Sequence, residues 1–175
     1  MKIAILAAMD KELNLLLNLI PEREELHIDE NVYYKGNLHN HIIIVGKCGI
    51  GKVNSALNTY SMIQSQHPDL VINSGVAGGV DGSLSVGSVL IADGVAYHDV
   101  WCGPDTVYGA ADGFPQILLP DADVISKAHE TFADNSDVKF GLICSGDKFI
   151  HLKEEVDTIK KAFNNALAVD IESAS

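Results

Sequence analysis

Arginine is almost missing from this sequence: Arg23 is the only one among 12 basic side chains, set against 24 acidic ones. The resulting net charge of −12 repels a phosphate backbone, and no Lys/Arg cluster offers a local exception, so nucleic acid is excluded as a partner. A solvated acidic surface that keeps the chain dispersed accounts for the imbalance. Cysteine is scarce too. Cys48, Cys102 and Cys144 are odd in number and far apart, which fits neither a disulfide framework nor closely spaced metal ligands, and a reducing cytoplasm is the natural setting. Long hydrophobic runs are also lacking. The apolar start, Met1 to Met9, is too short to span a membrane, has no small-residue cleavage pattern and meets Asp10, Lys11 and Glu12 at once, so it reads as a buried first strand and no membrane association follows. There is no internal repeat, linker or low-complexity tract.

What is present is ample core material: 47% hydrophobic residues in 175, enough for one domain over residues 1–175. Short apolar runs alternate with amphipathic stretches, which predicts an α/β domain; hairpin-like neighbours make its sheet mixed. The first strand covers Lys2 to Ala8, followed by a helix with apolar Leu13, Leu15, Leu16 and Leu19 that Pro21 closes. The charge run Glu22 to Glu25 reads as a solvated turn. Val32–Leu38 and His41–Val45 form a hairpin across His39 and Asn40. Histidines 39 and 41 could share a strand face, but with no third ligand nearby they are turn residues. Val53, Ala56, Leu57, Tyr60 and Ile63 mark a core-facing helix ended by Pro68. A buried strand, Leu70–Ser74, then enters the glycine-rich turn Gly75-Val76-Ala77-Gly78-Gly79, and the next strand runs from Ser88 to Tyr97. His98 to Pro120 is a long functional or covering loop. Beyond it come a helix from Ala122 to Phe132, a strand from Lys139 to Cys144, a helix from Glu154 to Phe163 and a strand from Leu167 to Asp170.

Three groups of segments carry the chemistry: Ala8-Met9-Asp10-Lys11-Glu12; Gly49-Ile50-Gly51-Lys52-Val53 with Asn73 to Gly79; and Ser145-Gly146-Asp147-Lys148-Phe149-Ile150 with Ala168-Val169-Asp170-Ile171-Glu172. Each is weak alone. In this order and spacing they resemble the 5′-methylthioadenosine/S-adenosylhomocysteine nucleosidases of the nucleoside phosphorylase superfamily, along the whole chain.

The resemblance implies a three-layer α/β/α fold around a central mixed twisted sheet, and hydrolysis of the adenine–ribose bond of methylthioadenosine or adenosylhomocysteine in methionine salvage. It implies no metal, no organic cofactor and a homodimer. Breaking that bond builds positive charge on the ribose, so the site needs a carboxylate for water, partners for the sugar hydroxyls and an acid for the base. By resemblance Glu12 activates water, although a glutamate at a helix start also suits the helix dipole. Glu172 accepts the sugar hydroxyls, and Ile171 takes the apolar place beside the sugar, normally methionine. Phe149 and Ile150 hold adenine, and Gly78 offers a backbone contact; without the resemblance Phe149 and Ile150 read equally well as core residues. Asp170 stands where the family usually has glutamate, and Val76 where some relatives have serine.

Other readings compete. Gly46 to Lys52 has phosphate-loop spacing, but Val53 replaces the Ser or Thr that would hold Mg²⁺. A phosphorylase would clamp its phosphate with arginines, and only Arg23 exists. A futalosine-type hydrolase shares the chemistry. His98-Asp99 suggests a dyad, although adjacent residues on an extended segment face opposite ways, which makes it a strand-end pair. Relatives run on past Glu172 through a helix, a strand and the aspartate that protonates adenine, whereas Glu172 to Ser175 only begin a helix here. The expectation is therefore weak or no turnover, as in a nucleoside-binding fragment, with apolar surface left for association to cover.

Overall fold

The computed structural model describes residues 1–111 and 113–175, so Asp112, within the expected long loop, lies outside the described residues. The chain forms two compact units, Met1–Val76 with Ser175, and Ala77–Ala174. The predicted mixed α/β character holds in both, with the strands hydrogen-bonded in two sheets, one in each unit.

In the first unit the strands are β1 (Lys2–Ala7), β2 (Arg23–Ile28), β3 (Asn31–Leu38), β4 (His41–Lys47) and β5 (Leu70–Asn73), in the order β2-β3-β4-β1-β5. β1 runs parallel to β4 and β5, while β2, β3 and β4 form antiparallel hairpins. The helices are α1 (Asp10–Leu16), continued by a 3₁₀ turn over Leu17–Leu19, and α2 (Lys52–Gln66). Alternation along the strands explains how both faces are covered. Ala4, Leu6 and Ile44 join Tyr33, Cys48 and Met62 of α2 on one face; Ile43 and Val45 join Leu13, Leu17 and Ile20 on the other. With both faces buried, the central strands read as the continuous apolar runs seen in the sequence. Each fully buried side chain such as Ile44 contributes about 1.5–3 kcal/mol. Gly46 admits the Tyr33 ring, which would overlap any Cβ there, so Gly46→Ala would break this packing.

Three expectations need correction here. The charge run Glu22–Glu25 is largely strand β2, where charged side chains sit exposed on an edge that they protect from further pairing. Strand β5 is also an edge, and Ile72 and Asn73 are exposed; an apolar run looks the same in a central or an edge strand. Helix α2 buries Ser55 and Met62, whereas Val53, Ala56, Leu57 and Tyr60 are exposed. Periodicity locates an apolar stripe without saying what covers it, and in this unit the sheet covers the Met62 side.

In the second unit the strands are β6 (Gly78–Gly79), β7 (Val89–Tyr97), β8 (Val138–Ser145) and β9 (Ala166–Asp170), in the order β6-β9-β8-β7. β7, β8 and β9 are parallel, and β6 is antiparallel to β9. The helices are α3 (Ala122–Thr131) and α4 (Lys153–Ala162). Asp121 caps α3 by accepting from the Asp123 and Val124 amides, the usual N-cap arrangement. Ile159 and Phe163 at α4 pack on Ala96, Leu142, Cys144, Ala166 and Val169. Lys160 donates to Asp81 Oδ2 and to the Ala166 carbonyl, both at 2.9 Å, and holds the Asp81 carboxyl down at about 2. Among the described residues no helix is long and apolar enough to cross a membrane.

Candidate active site

Parallel strands present ligands beyond their carboxyl ends, and each unit brings its predicted residues there. In the first unit, the end of β1 leads into Glu12 at the third position of α1, and the end of β5 leads into Gly75 and Val76. Glu12 is buried, with 9% of its surface exposed. Its Oε2 accepts the Ala8 and Met9 amides at 3.0 Å, and its Oε1 accepts the Val76 amide at 2.9 Å. Glu12 is therefore both a helix-start cap and a carboxylate aimed by three backbone donors. A carboxylate has about four lone-pair positions, which leaves one for a water molecule. Gly75 is necessary to this geometry, because a Cβ there would stand 2.9 Å from Oε1. Sequence reasoning gave Val76 no role; its amide has one, and a backbone donor leaves no trace in residue identity.

The phosphate-loop spacing proves architectural. The segment joins β4 to α2 with Gly49 and Gly51 at positive φ, which favours glycine. Lys47 pairs with Asp10 at 2.8 Å, and the Asn54 and Asn58 side chains donate to the Ile50 and Cys48 carbonyls. Arg23 spends its guanidinium on the Leu17 and Ile20 carbonyls and lies over the Tyr34 ring.

In the second unit, Tyr97, Ser145 and Asp170 end the three parallel strands side by side in register. His98-Asp99, Gly146–Ile150 and Ile171-Glu172 follow these ends, and Gly78 pairs with Val169 beside them. Three predicted site segments of this unit thus lie at one sheet end, with His98-Asp99 beside them. Phe149 is 74% exposed and stacks on the His151 ring with centroids 6.1 Å apart, so it is no core residue. Ile150 is half-buried against the Leu142–Phe163 cluster. Ile171 and Glu172 are half-buried as well.

The expected helix start at 172–175 is instead a turn closed by Asp170. Its Oδ2 accepts the Ser173 amide at 3.1 Å and the Ser173 hydroxyl, while Oδ1 accepts the Ser145 hydroxyl. Such side-chain bonds compete with helix formation. Ser145 Oγ in turn accepts the Ala174 amide at 3.0 Å. This Asp170 network, which fixes the turn bearing Ile171 and Glu172, was visible in the sequence only as a departure from the family's glutamate. Beside it, burial and the Asp170 charge push the Cys144 thiol up to about 12. His98 and Asp99 follow the end of β7, as the loop or strand-end reading expects, but they do not face opposite ways: both side chains lie against Gly146, and Asp99 accepts the Asp147 amide at 2.8 Å.

Glu155, five residues beyond the predicted base-binding segment Phe149-Ile150, was missed. Its Oε2 accepts the His151 and Leu152 amides at 3.1 Å, and Lys148 reaches its Oε1 at 2.6 Å. The lysine, followed by the two amides, holds the Glu155 carboxyl down at about 2. A glutamate at the third helical position is a readable cap signal, but the Lys148 partner is tertiary. Among the described residues no group of three His, Cys, Asp or Glu side chains could hold a metal ion; His39 lies in the β3–β4 turn, whereas His41, expected there too, is the first residue of β4 and pairs with Leu38.

Residues 2–175 match the family described as the Phosphorylase superfamily. A 5′-methylthioadenosine/S-adenosylhomocysteine nucleosidase of Staphylococcus saprophyticus is 39% identical over 175 residues, covering 99% of this chain and 77% of the relative. The solved S. pneumoniae nucleosidase of the same name, with a transition-state inhibitor, is 34% identical with a TM-score of 0.95, covering 99% of this chain and 76% of that one. A futalosine hydrolase mutant of Helicobacter pylori superposes with a TM-score of 0.90 at 35% identity, covering 99% and 80%.

Proposed function

Since the chain belongs to the 5′-methylthioadenosine/S-adenosylhomocysteine nucleosidase family of the phosphorylase superfamily, we propose that it hydrolyses the N-glycosidic bond of these two nucleosides. Water adds its oxygen to the anomeric carbon and gives a proton to Glu12. The bond to adenine breaks, adenine leaves with the electron pair and takes up a proton from solvent, and Glu12 then returns its proton to solvent. Glu172 accepts the sugar hydroxyls and Ile171 packs beside the sugar. Phe149 stacks on the base, Ile150 lies at its edge, and Gly78 contributes a backbone contact. The thioribose product places the reaction in methionine salvage, in a cytoplasmic setting consistent with three free thiols.

The observation that carries this reading is the Glu12 carboxylate, buried and gripped by the Ala8, Met9 and Val76 amides. A general base must be held in place before the water arrives. Water is favoured over phosphate because the one arginine is already bound to backbone carbonyls. The test is adenine release from methylthioadenosine and adenosylhomocysteine, beside hypoxanthine release from futalosine, with and without phosphate. The reading predicts release from the two thioethers, however slow, at a rate indifferent to phosphate. Faster cleavage of futalosine, or a phosphate requirement, would overturn it.

The exposed stripe Val53, Ala56, Leu57 and Tyr60 on α2 supports a homodimer formed through this face. Leu57→Lys should lower the mass in sedimentation equilibrium from dimer to monomer. A wild-type chain that sediments as a monomer would refute the assignment.

A further inference from the structure

The segment that would meet adenine has little regular structure of its own. Phe149 and Ile150 lie between the end of β8 and the start of α4, outside any strand or helix. Their placement therefore depends on side chains that anchor the flanks, and a single carboxylate anchors both. Glu155 Oε1 meets Lys148 Nζ at 2.6 Å on the near side, and Oε2 accepts the His151 and Leu152 amides at 3.1 Å on the far side. The His151 ring, whose Nδ1 stands 3.7 Å from the same carboxylate, is the platform on which the exposed Phe149 ring stacks.

We infer that Glu155 is a positioning residue for base binding: by holding Lys148 on one side and His151-Leu152 on the other, it sets where Phe149 and Ile150 stand before adenine arrives. The inference rests on the proposed role of Phe149 and Ile150. A helix cap would explain only half of the geometry. The two amides on Oε2 are a cap's usual donors, and capping leaves the other oxygen free to face solvent. Here that oxygen is turned to Lys148, and the Glu155 side chain is only 15% exposed. An ion pair with an exposed lysine adds little stability. What it adds is closure of the segment, so that less ordering remains to be done when the ligand binds.

The test uses the full chain and the variants Lys148→Met, Glu155→Gln, Glu155→Ala, Phe149→Ala and Asp157→Asn, the last a control that removes the Lys153–Asp157 pair from the same helix. Adenine dissociation constants come from calorimetry, and KM and kcat from methylthioadenosine turnover. Glu155→Gln keeps an acceptor for the two amides and loses the ionic partner of Lys148, so it should behave as Lys148→Met does. Both should weaken adenine binding and raise KM by about fivefold, with kcat within about twofold and a melting temperature only slightly below that of the control. Glu155→Ala should exceed both, and where it fails to fold the two milder variants decide. Unchanged adenine binding and KM in Lys148→Met and Glu155→Gln would reduce Glu155 to a helix cap and overturn the inference. If Phe149→Ala also binds adenine normally, it is the base-binding assignment of the segment that has failed; if only Phe149→Ala is weakened, the assignment stands and the role of Glu155 falls.

Discussion

Glu12 Oε1 accepts the Val76 amide at 2.9 Å across 64 positions of sequence, so the carboxylate supplied by the start of α1 is aimed by the turn after β5. Gly75 makes the approach possible. Gly75→Ala would set a methyl group against that oxygen and push the carboxylate off its position. A displacement on the order of 1 Å in a reacting group costs up to about 100-fold in rate. The expected outcome is a fall in kcat of at least about tenfold by the same reasoning, with adenine affinity kept. Full kcat in the variant would detach Glu12 from the reaction.

The placement of Glu12 was legible because strand end, helix start and acidic residue follow one another within a few positions. The hairpin of β3 and β4 and most element boundaries were legible for the same reason: turn residues and period are local. What escaped was set by tertiary partners. The exposed face of α2 and the edge positions of β2 and β5 depend on what the rest of the unit covers, and a stripe of Val53, Leu57 and Tyr60 carries no label saying so. The Val76 amide is invisible to residue identity. Glu155 was readable as a cap but not as the partner of Lys148, and Asp170 as a shortened glutamate but not as the clasp between Ser145 and Ser173.

Acid should act through two carboxylates. Glu155 and Asp81 are each held at about 2, below the ordinary 4.5 and 3.8, by Lys148 and Lys160 respectively and by backbone amides. A depressed folded-state value means that the unfolded chain takes up protons first as pH falls. Their stabilisation is complete above about pH 4.5 and is lost as pH drops towards 2. Melting temperatures recorded from pH 7 downward should fall across that window, and less steeply in Glu155→Gln and Asp81→Asn. Slopes identical to wild type would contradict the two pairings.

Thiol chemistry should separate the three cysteines. Cys48 and Cys144 are buried, which keeps a reagent from both, and the Cys144 thiol is also pushed up to about 12, so it carries little thiolate. Cys102 is exposed. An aromatic disulfide reagent at pH 8 should titrate one thiol rapidly in the native chain and three after denaturation. Rapid reaction of all three in the native chain would show that the two buried sites open readily.

The most direct test of Glu12 as the water-activating base is adenine release from methylthioadenosine by the wild-type chain beside Glu12→Gln, with binding of the nucleoside measured in parallel. The amide keeps the size of the side chain but cannot take the proton. The account predicts release by the wild type, a loss of at least about 100-fold in the variant, and nucleoside binding preserved in both. Equal release by the two proteins would contradict it.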